Sequence, residues 1–387
     1  LDKPIEAVRP AWLEGATDYR LPAWFDGCRV QAHTRLGLPW LDKPEFLSAG
    51  ASFKAMDADV FTRHIKSGKE GAWWPSAVGA SIPEAKGRNL AREIVEEAHK
   101  AGCRILVYHR HMEDARAAAD HPDWLCRDAN GEPSVAGRGE YMCFNSPYRE
   151  YLLTRLLELV DMGADGFYFD EMHMPKKGCW CDHCRAKFKE SCGLDLPPCA
   201  DEKDPLWHKL VDFKNQAIEQ AFVEWRRAIH ARHPECVVLI GSNTWPALSD
   251  RTMTGRLFRI ADSVKTEFEL AARPPAYKAL PEGMLPFDKD AKMTLGYVLS
   301  RDAADGRPAH VWTNGLLDDT AALYATAGIL TYGCIANLDV AEADLPGPVF
   351  ARAFDLGKKV SPYWLGTAPV RWAAIHYSEV ARDAYAV

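Results

Sequence analysis

The sequence predicts an α/β protein, a (β/α)8 TIM barrel. From about residue 85 onward, short apolar runs of about four to eight residues alternate with amphipathic stretches of about 10 to 25, the pattern of βα units on a parallel sheet. The ends of those runs carry polar and aromatic residues, as the catalytic rim of such a barrel does. The rival fold, a doubly wound open sheet, would bring a glycine-rich phosphate loop after its first strand, and none stands there. A length of 387 residues suits one large barrel plus a small attachment.

In chain order, Gly27–His33 reads as the first strand and Asp57–Ser67 as the first helix. Arg88–Lys100 reads as a helix, followed by the strand CRILVYH, Cys103–His109. Ser146–Asp161 is helical, with leucines at 152, 153, 156, 157 and 159, and leads into GFYFDE, Gly166–Glu171. A long helix over about Pro205–His233 precedes CVVLIGSN, Cys236–Asn243. Arg251–Ile260 leads to DSVKTEFEL, Asp262–Leu270, and a helix over Phe287–Arg301 to AHVWTN, Ala309–Asn314. A helix over Asp318–Ile329 precedes YGCIANLD, Tyr332–Asp339, and Pro348–Val360 closes the series. This makes seven strands, one short of a closed barrel. The missing one is expected between Ser67 and Trp73, where only GKEGA stands, so the barrel is either irregular or incomplete around its second strand. The barrel is expected over residues 1–365. The alternation in VRWAAIHYS suggests that residues 366–387 open a second, truncated α/β domain.

Apolar residues at 47% and charged residues at 26% exclude disorder and collagen-like repeats. A net charge of −7 gives no sign of a nucleic-acid partner. No apolar run approaches the roughly 20 residues of a membrane span. The first dozen residues hold no apolar signal core. Eleven cysteines, an odd number with three in one tight cluster, argue for reduced thiols and a metal site, and so for the cytoplasm. Thirteen Trp and 13 Tyr supply amphipathic rings of the kind that carbohydrate surfaces use.

The strand ends supply the candidate site. His33, Tyr108, His109, His111, Asp170, Glu171, Asn243, Trp245, Glu267, Glu269, Trp312, Asn314, Asn337 and Asp339 all fall there. Any one of them could be a helix cap or turn former, but together they suggest a rim. Asp170 follows three aromatics in a strand that should be buried, where an unpaired charge is costly, and the following MPKKGC is a loop with no helix to cap. Asp170 is therefore the leading catalytic candidate. Glu171 is a second acid or an Arg or Lys partner. Glu267 and Glu269 point to one side of an extended strand and are candidates for the second carboxylate, or for surface partners of Lys265 or Arg273. Two carboxylates across a bond are the machinery of glycoside hydrolysis, and the gap between them decides retention or inversion. His33, Trp73, Trp74, His109, His111, Asn243, Trp245, Trp312 and Asn314 are candidates to line a sugar site, with plain packing the alternative for the Trp73–Trp74 pair. The cluster Cys179-Trp-Cys181-Asp-His-Cys184 brings three thiolates within reach of one tetrahedral ion. The fourth ligand could be Cys143, His183, Cys192 or Cys199, and a closed thiolate site would hold structural zinc. No organic cofactor is expected. No GxSxG elbow, Walker loop or HExxH helix appears.

The stretch HPDWLCRDANGEPSVAGRGEYMCFNSPYREYLL, then DGFYFDEMHM, then CWCDHCRAKF, resembles two groups of barrels. One is the glycoside hydrolase family 42 β-galactosidases. The other is the fucosidase-like hypothetical glycosyl hydrolases related to families 29 and 151. The resemblance spans about Gly71 to Phe188, and RWAAIHYS resembles the opening of the trimerisation domain that follows such barrels. It implies a glycosidase and, through that domain, a homotrimer. The family 42 pattern implies Glu171 as acid/base, although Asp170 replaces the usual Asn before it and AHVWTNG lacks the nucleophilic Glu of the seventh strand. The fucosidase-like pattern, an Asp closing a GFWFD-type strand, implies Asp170 as nucleophile. The family 42 zinc pattern implies Cys143 as fourth ligand beside Cys179, Cys181 and Cys184. The resulting expectation is an exo-acting, retaining, α-L-fucosidase-like hydrolase with Asp170 as nucleophile and a Glu, foremost Glu267, as acid/base. The alternatives are a β-galactosidase-like enzyme using Glu171, a non-catalytic carbohydrate-binding barrel and, last, a metal-dependent hydrolase using His109, His111 and Asp170.

Overall fold

A computed structural model describes residues 11–15, 19–66, 71–136, 139–243, 255–269, 286–314, 316, 318–341, 344–345 and 350–364. Eight parallel strands close a barrel: β1 (Val30–Thr34), β2 (Val60–Lys66), β3 (Arg104–His109), β4 (Gly166–Asp170), β5 (Val237–Asn243), β6 (Ser263–Glu269), β7 (Ala309–Asn314) and β8 (Ile335–Asp339). Each pairs with its sequence neighbours, and β8 closes on β1 through Gln31 opposite Asn337 and His33 opposite Asp339. One principal helix follows each strand: α1 (Glu45–Ala55), α2 (Leu90–Lys100), α3 (Tyr148–Asp161), α4 (Trp207–Arg232), α5 (Gly255–Ile260), α6 (Pro286–Ala303), α7 (Asp319–Thr331) and α8 (Ala351–Trp364). The barrel is thus complete, with the (β/α)8 topology the sequence predicts.

The strand missing from the sequence reading is β2. It occupies Val60–Lys66, inside the segment expected to be the first helix, and the true first helix is α1, upstream. The cause is burial on both faces. Val60 and Thr62 face the barrel interior while Phe61, Arg63 and Ile65 face the helix layer, and all five are buried. A strand buried on both sides loses the alternation that identifies strands. Residues 67–70, where the strand was expected, and 366–387, expected to open a second domain, lie outside the described residues.

From α2 onward the principal helices form where the pattern predicts. In α2, Leu90, Ala91, Ile94, Val95 and Ala98 share the buried face, and Asn89 caps it by accepting from Arg92 N at 2.9 Å. Asp318 caps α7 in the same way. Gly50 lets α1 and α2 approach closely, since a Cβ there would lie 2.8 Å from Ala98 Cα.

The lower end of the barrel is apolar and pinned. Phe25, on the short helix Ala23–Asp26, plugs it against Val60, Leu106, Val237 and Leu239. Two aspartates, each just before a strand, bind the neighbouring strand's first turn of backbone. Asp165 accepts from Ile105 N at 2.9 Å and Arg104 Nη1 at 2.6 Å, and Asp262 accepts from Val238 N at 2.7 Å and Arg226 Nε at 2.6 Å. Buried strand-end amides are satisfied this way, and the N-terminal face is left to stability. Among the described residues no helix is long and apolar enough to cross a membrane.

Candidate active site at the C-terminal rim

Strand alternation turns Tyr168 and Asp170 of β4 and Lys265 and Glu267 of β6 into the barrel, so these side chains meet above the apolar plug. Asp170 is buried and accepts two phenolic hydrogen bonds, from Tyr108 at 3.1 Å on Oδ2 and from Tyr168 at 2.9 Å on Oδ1. Tyr108 accepts in turn from Arg110 Nη1 at 2.9 Å. Arg110 forms a buried two-pronged pair with Glu113 at 2.6 and 2.9 Å. Burial, and then the nearby Asp170 carboxylate, push the Tyr168 phenol well up, so it stays a donor.

Tyr168 fits only because Gly241 faces it. A Cβ at 241 would lie 2.2 Å from the tyrosine ring. On the other side the Lys265 ammonium sits 3.9 Å from that ring's centroid and 5.3 Å from the Trp312 ring. Lys265 also donates to His33 Nδ1 at 3.0 Å and Thr62 Oγ1 at 3.4 Å. Complete burial drives the lysine down to about 7, against the pull of Asp170, Asp339 and Glu267. His33 is likewise driven well below its ordinary value by burial and by Lys265, so it is neutral. With Nδ1 accepting, its proton sits on Nε2.

Glu267 lies at the mouth. Asn314 Nδ2 donates to its Oε1 at 2.7 Å. Burial, followed by repulsion from Asp170 and Glu171, raises Glu267 to about 7. One carboxylate is therefore clamped by phenols while the other holds its proton near neutrality. His33 stacks on Trp312 at 4.3 Å, and Arg35 pairs with Asp339 at 2.6 Å on the same rim. His33 Nε2, Trp312 Nε1 and Asn314 Oδ1 are buried and without a hydrogen-bond partner among the described residues.

The rim thus unites Asp170, Glu267, His33, Trp312 and Asn314 of the expected residues. Glu171 is buried beside them in a left-handed backbone, φ 51°, with its amide donating to Gly241 O at 3.0 Å. A non-glycine residue in that region is strained, and such strain gathers at working sites. Asn243 and Glu269 end β5 and β6 in register with Glu267 and Asn314, but their side chains, and all of Trp245, lie outside the described residues.

Four expected sugar contacts sit elsewhere. Trp73 and Trp74 are 1% and 0% exposed, packed behind the sheet, with Trp73 against Phe46 and Trp74 Nε1 donating to Glu158 of α3 at 2.6 Å. They are core, the packing alternative. His109 lies on the outward face of β3, with its ring centroid 6.3 Å from that of Trp74. His111 packs its edge on Phe169, an outward residue of β4. The period of two explains it: Tyr108 points in, so His109 points out.

Sequence reasoning missed His64, which was placed in a helix, and gave no role to Tyr168, Arg110 or, beyond surface pairing, Lys265. A signal was available for two of them. Counting back two residues from Asp170 and Glu267 gives Tyr168 and Lys265, their neighbours on the same face.

The cysteines converge as well. Cys143, Cys179, Cys181 and Cys184 are buried, with all four sulfurs within 4.8 Å of one another. Cys143 lies 3.5 Å from Cys184, 3.6 Å from Cys181 and 4.0 Å from Cys179. Tetrahedral zinc with bonds of about 2.3 Å separates its sulfurs by about 3.8 Å, so the donor set fits that ion. Asn145 directs its backbone N–H at Cys143 Sγ and its Nδ2 at Cys184 Sγ, the outer support thiolate ligands need.

The fold and rim define a (β/α)8 barrel with an acid pair at its C-terminal face. Residues 43–171, about a third of the chain and ending on Glu171, match the family model described as hypothetical glycosyl hydrolase 6. No curated protein matches the chain. Among solved structures it is similar to a cold-adapted β-galactosidase from Rahnella sp. R3, at TM-score 0.70 and 14% identity over 92% of this chain and 60% of that one. A family 42 β-galactosidase from G. stearothermophilus gives 0.67 and 15% over 92% and 60%. The α-L-fucosidase isoenzyme 2 from Paenibacillus thiaminolyticus gives 0.56 and 18% over 87% and 49%. The chain therefore spans about half to three fifths of the length of these structures, and the likeness is one of fold.

Proposed function

We propose that the protein is a retaining, exo-acting glycoside hydrolase acting on α-L-fucoside-like substrates. The observation that carries this reading is the pairing of a buried, doubly hydrogen-bonded Asp170 with a Glu267 raised to about 7 across one barrel mouth. Asp170 attacks the anomeric carbon as the glycosidic bond breaks, and Glu267 gives its proton to the leaving oxygen. Glu267 then takes a proton from water, which attacks the glycosyl–Asp170 ester and restores both carboxyls. His33 Nε2–H, Trp312 Nε1–H and Asn314 Oδ1 offer two donors and one acceptor to sugar hydroxyls. The family match over residues 43–171 supports the hydrolase class. Zinc on Cys143, Cys179, Cys181 and Cys184 would pin the loop after β4 and take no part in the chemistry.

A β-galactosidase-like enzyme with Glu171 as acid/base is the second reading. It is favoured by the strained Glu171 backbone beside Asp170. A panel of aryl α-L-fucoside, β-D-galactoside, α-L-arabinoside and β-D-glucoside, run with wild type, Asp170→Asn and Glu171→Gln, separates the two. Fucoside turnover lost in Asp170→Asn supports the first, and galactoside turnover lost in Glu171→Gln supports the second. Full activity in Asp170→Asn overturns the Asp170 mechanism. Sugar binding without turnover of any glycoside would make the barrel a carbohydrate-binding module.

A further inference from the structure

We infer that Arg110 is a positioning residue that acts on Asp170 through Tyr108, by fixing the direction of the Tyr108 hydroxyl proton. The inference rests on Asp170 being the reacting carboxylate. A phenol oxygen carries one proton and offers two lone pairs. Arg110 Nη1 donates into one of those lone pairs at 2.9 Å, and an arginine keeps its protons at any working pH. The phenolic proton therefore turns away from Arg110, toward Asp170 Oδ2 at 3.1 Å.

The rest of the tyrosine is already held. Its ring stacks on His64 at 3.8 Å and 6° and leans on Tyr168 at 5.6 Å, so hydroxyl rotation is the freedom that remains. Arg110 is fixed in turn by both oxygens of Glu113. Arg110 and Glu113 are 4% and 2% exposed. A buried ion pair of this kind adds little stability over apolar residues of the same volume. What it supplies here is geometry at the reacting carboxylate. Among the described residues, Tyr168 from its own strand and Lys265 and Glu267 from β6 also face Asp170, and Glu171 is next in the chain. Together the two phenols set the plane of the Asp170 carboxylate, and Arg110 determines one of them.

The test compares Arg110→Gln, Tyr108→Phe and the double variant in the full chain. Arg110→Gln should lower kcat on the best aryl glycoside by about 10- to 100-fold with KM changed by less than about twofold, the effect of misdirecting one hydrogen bond to a charged group. Because Arg110 acts through Tyr108, the double variant should be no slower than Tyr108→Phe alone, within about twofold. A second readout needs no substrate. In protein carrying ring-labelled tyrosine, the Tyr108 13Cζ resonance, identified by its loss in Tyr108→Phe, should move in both Arg110→Gln and Asp170→Asn. If Arg110→Gln does not fold, Arg110→Met with Glu113→Leu removes both charges together and gives the same readouts. Additive losses in the double variant, or a Tyr108 resonance unmoved in a folded Arg110 variant, overturn the inference. If no glycoside is turned over but the resonance moves in both variants, the positioning stands and the glycosidase reading falls.

Discussion

The Lys265 ammonium nitrogen stands 3.0 Å from His33 Nδ1, a contact across the barrel interior between strands β6 and β1, which do not pair with each other. It joins a cation and a neutral imidazole with no water-exposed surface on either. Burial takes Lys265 from an ordinary 10.5 down to about 7. Between those values the unfolded chain holds a proton that the folded chain has released, so this residue makes stability rise with pH across that window. Lys265→Met should flatten the rise. Thermal melts of wild type and variant from pH 7 to 10 measure it, and parallel curves would show that Lys265 titrates as an ordinary lysine. If the proposed glycosidase reading holds, the variant should also lose turnover, because His33 loses the donor that fixes its tautomer.

Glu267 is raised from 4.5 to about 7. In the proposed role of general acid it must carry its proton, so turnover should fall as pH rises through about 7. The same shift means that the folded chain binds the extra proton between 4.5 and about 7, and its stability contribution is lost as pH rises through that window. Glu267→Ala should slow substrates with basic leaving groups far more than activated aryl glycosides, and should abolish the alkaline fall in glycosylation. An unchanged pH profile in the variant would move the acid role to another residue.

Gly241→Ala should disrupt the site from outside its chemistry. The new methyl would meet the Tyr168 ring at 2.2 Å, and ring and strand would have to part. The expected cost is about 1–3 kcal/mol of stability, with a loss of turnover exceeding the loss of folded protein. Calorimetry beside active-site titration separates the two effects. A variant as active and as stable as wild type would place Tyr168 elsewhere.

The thiol cluster should behave as a structural metal site. Purified protein should carry about one zinc per chain, and Cys181→Ser should lose it. Chelation should lower the melting temperature well before it lowers the activity of molecules that remain folded. Metal analysis and melts with and without chelator test this, and loss of turnover at unchanged stability would give the metal a catalytic role.

Legibility in the sequence followed the physics of each element. Seven strands and most of the helices were readable because apolar runs and amphipathic stretches alternate, and Asp170 stood out because no helix follows it to cap. The three-cysteine cluster was equally plain, since its thiols are local in sequence. Strand β2 was not, because both its faces are buried and Phe61 and Ile65 mimic a helical stripe. From sequence Trp73 and Trp74 suit a sugar platform as well as packing, and the structure buries them behind the sheet. Sequence carries no label for the inner and outer face of a barrel when both are apolar.

What the sequence determined by itself is therefore the local chemistry: alternating βα units, acids at strand ends, and three thiols in one short segment. Only the closed barrel decided which of those residues meet. Closure brings His33 of β1 to Lys265 of β6, and sets Tyr108 of β3 against Asp170 of β4. It also moves His109 out of the site by one residue of strand register. The physical reason is that a strand's side chains alternate at every residue, while the partner across the barrel is chosen by shear and tilt of all eight strands together.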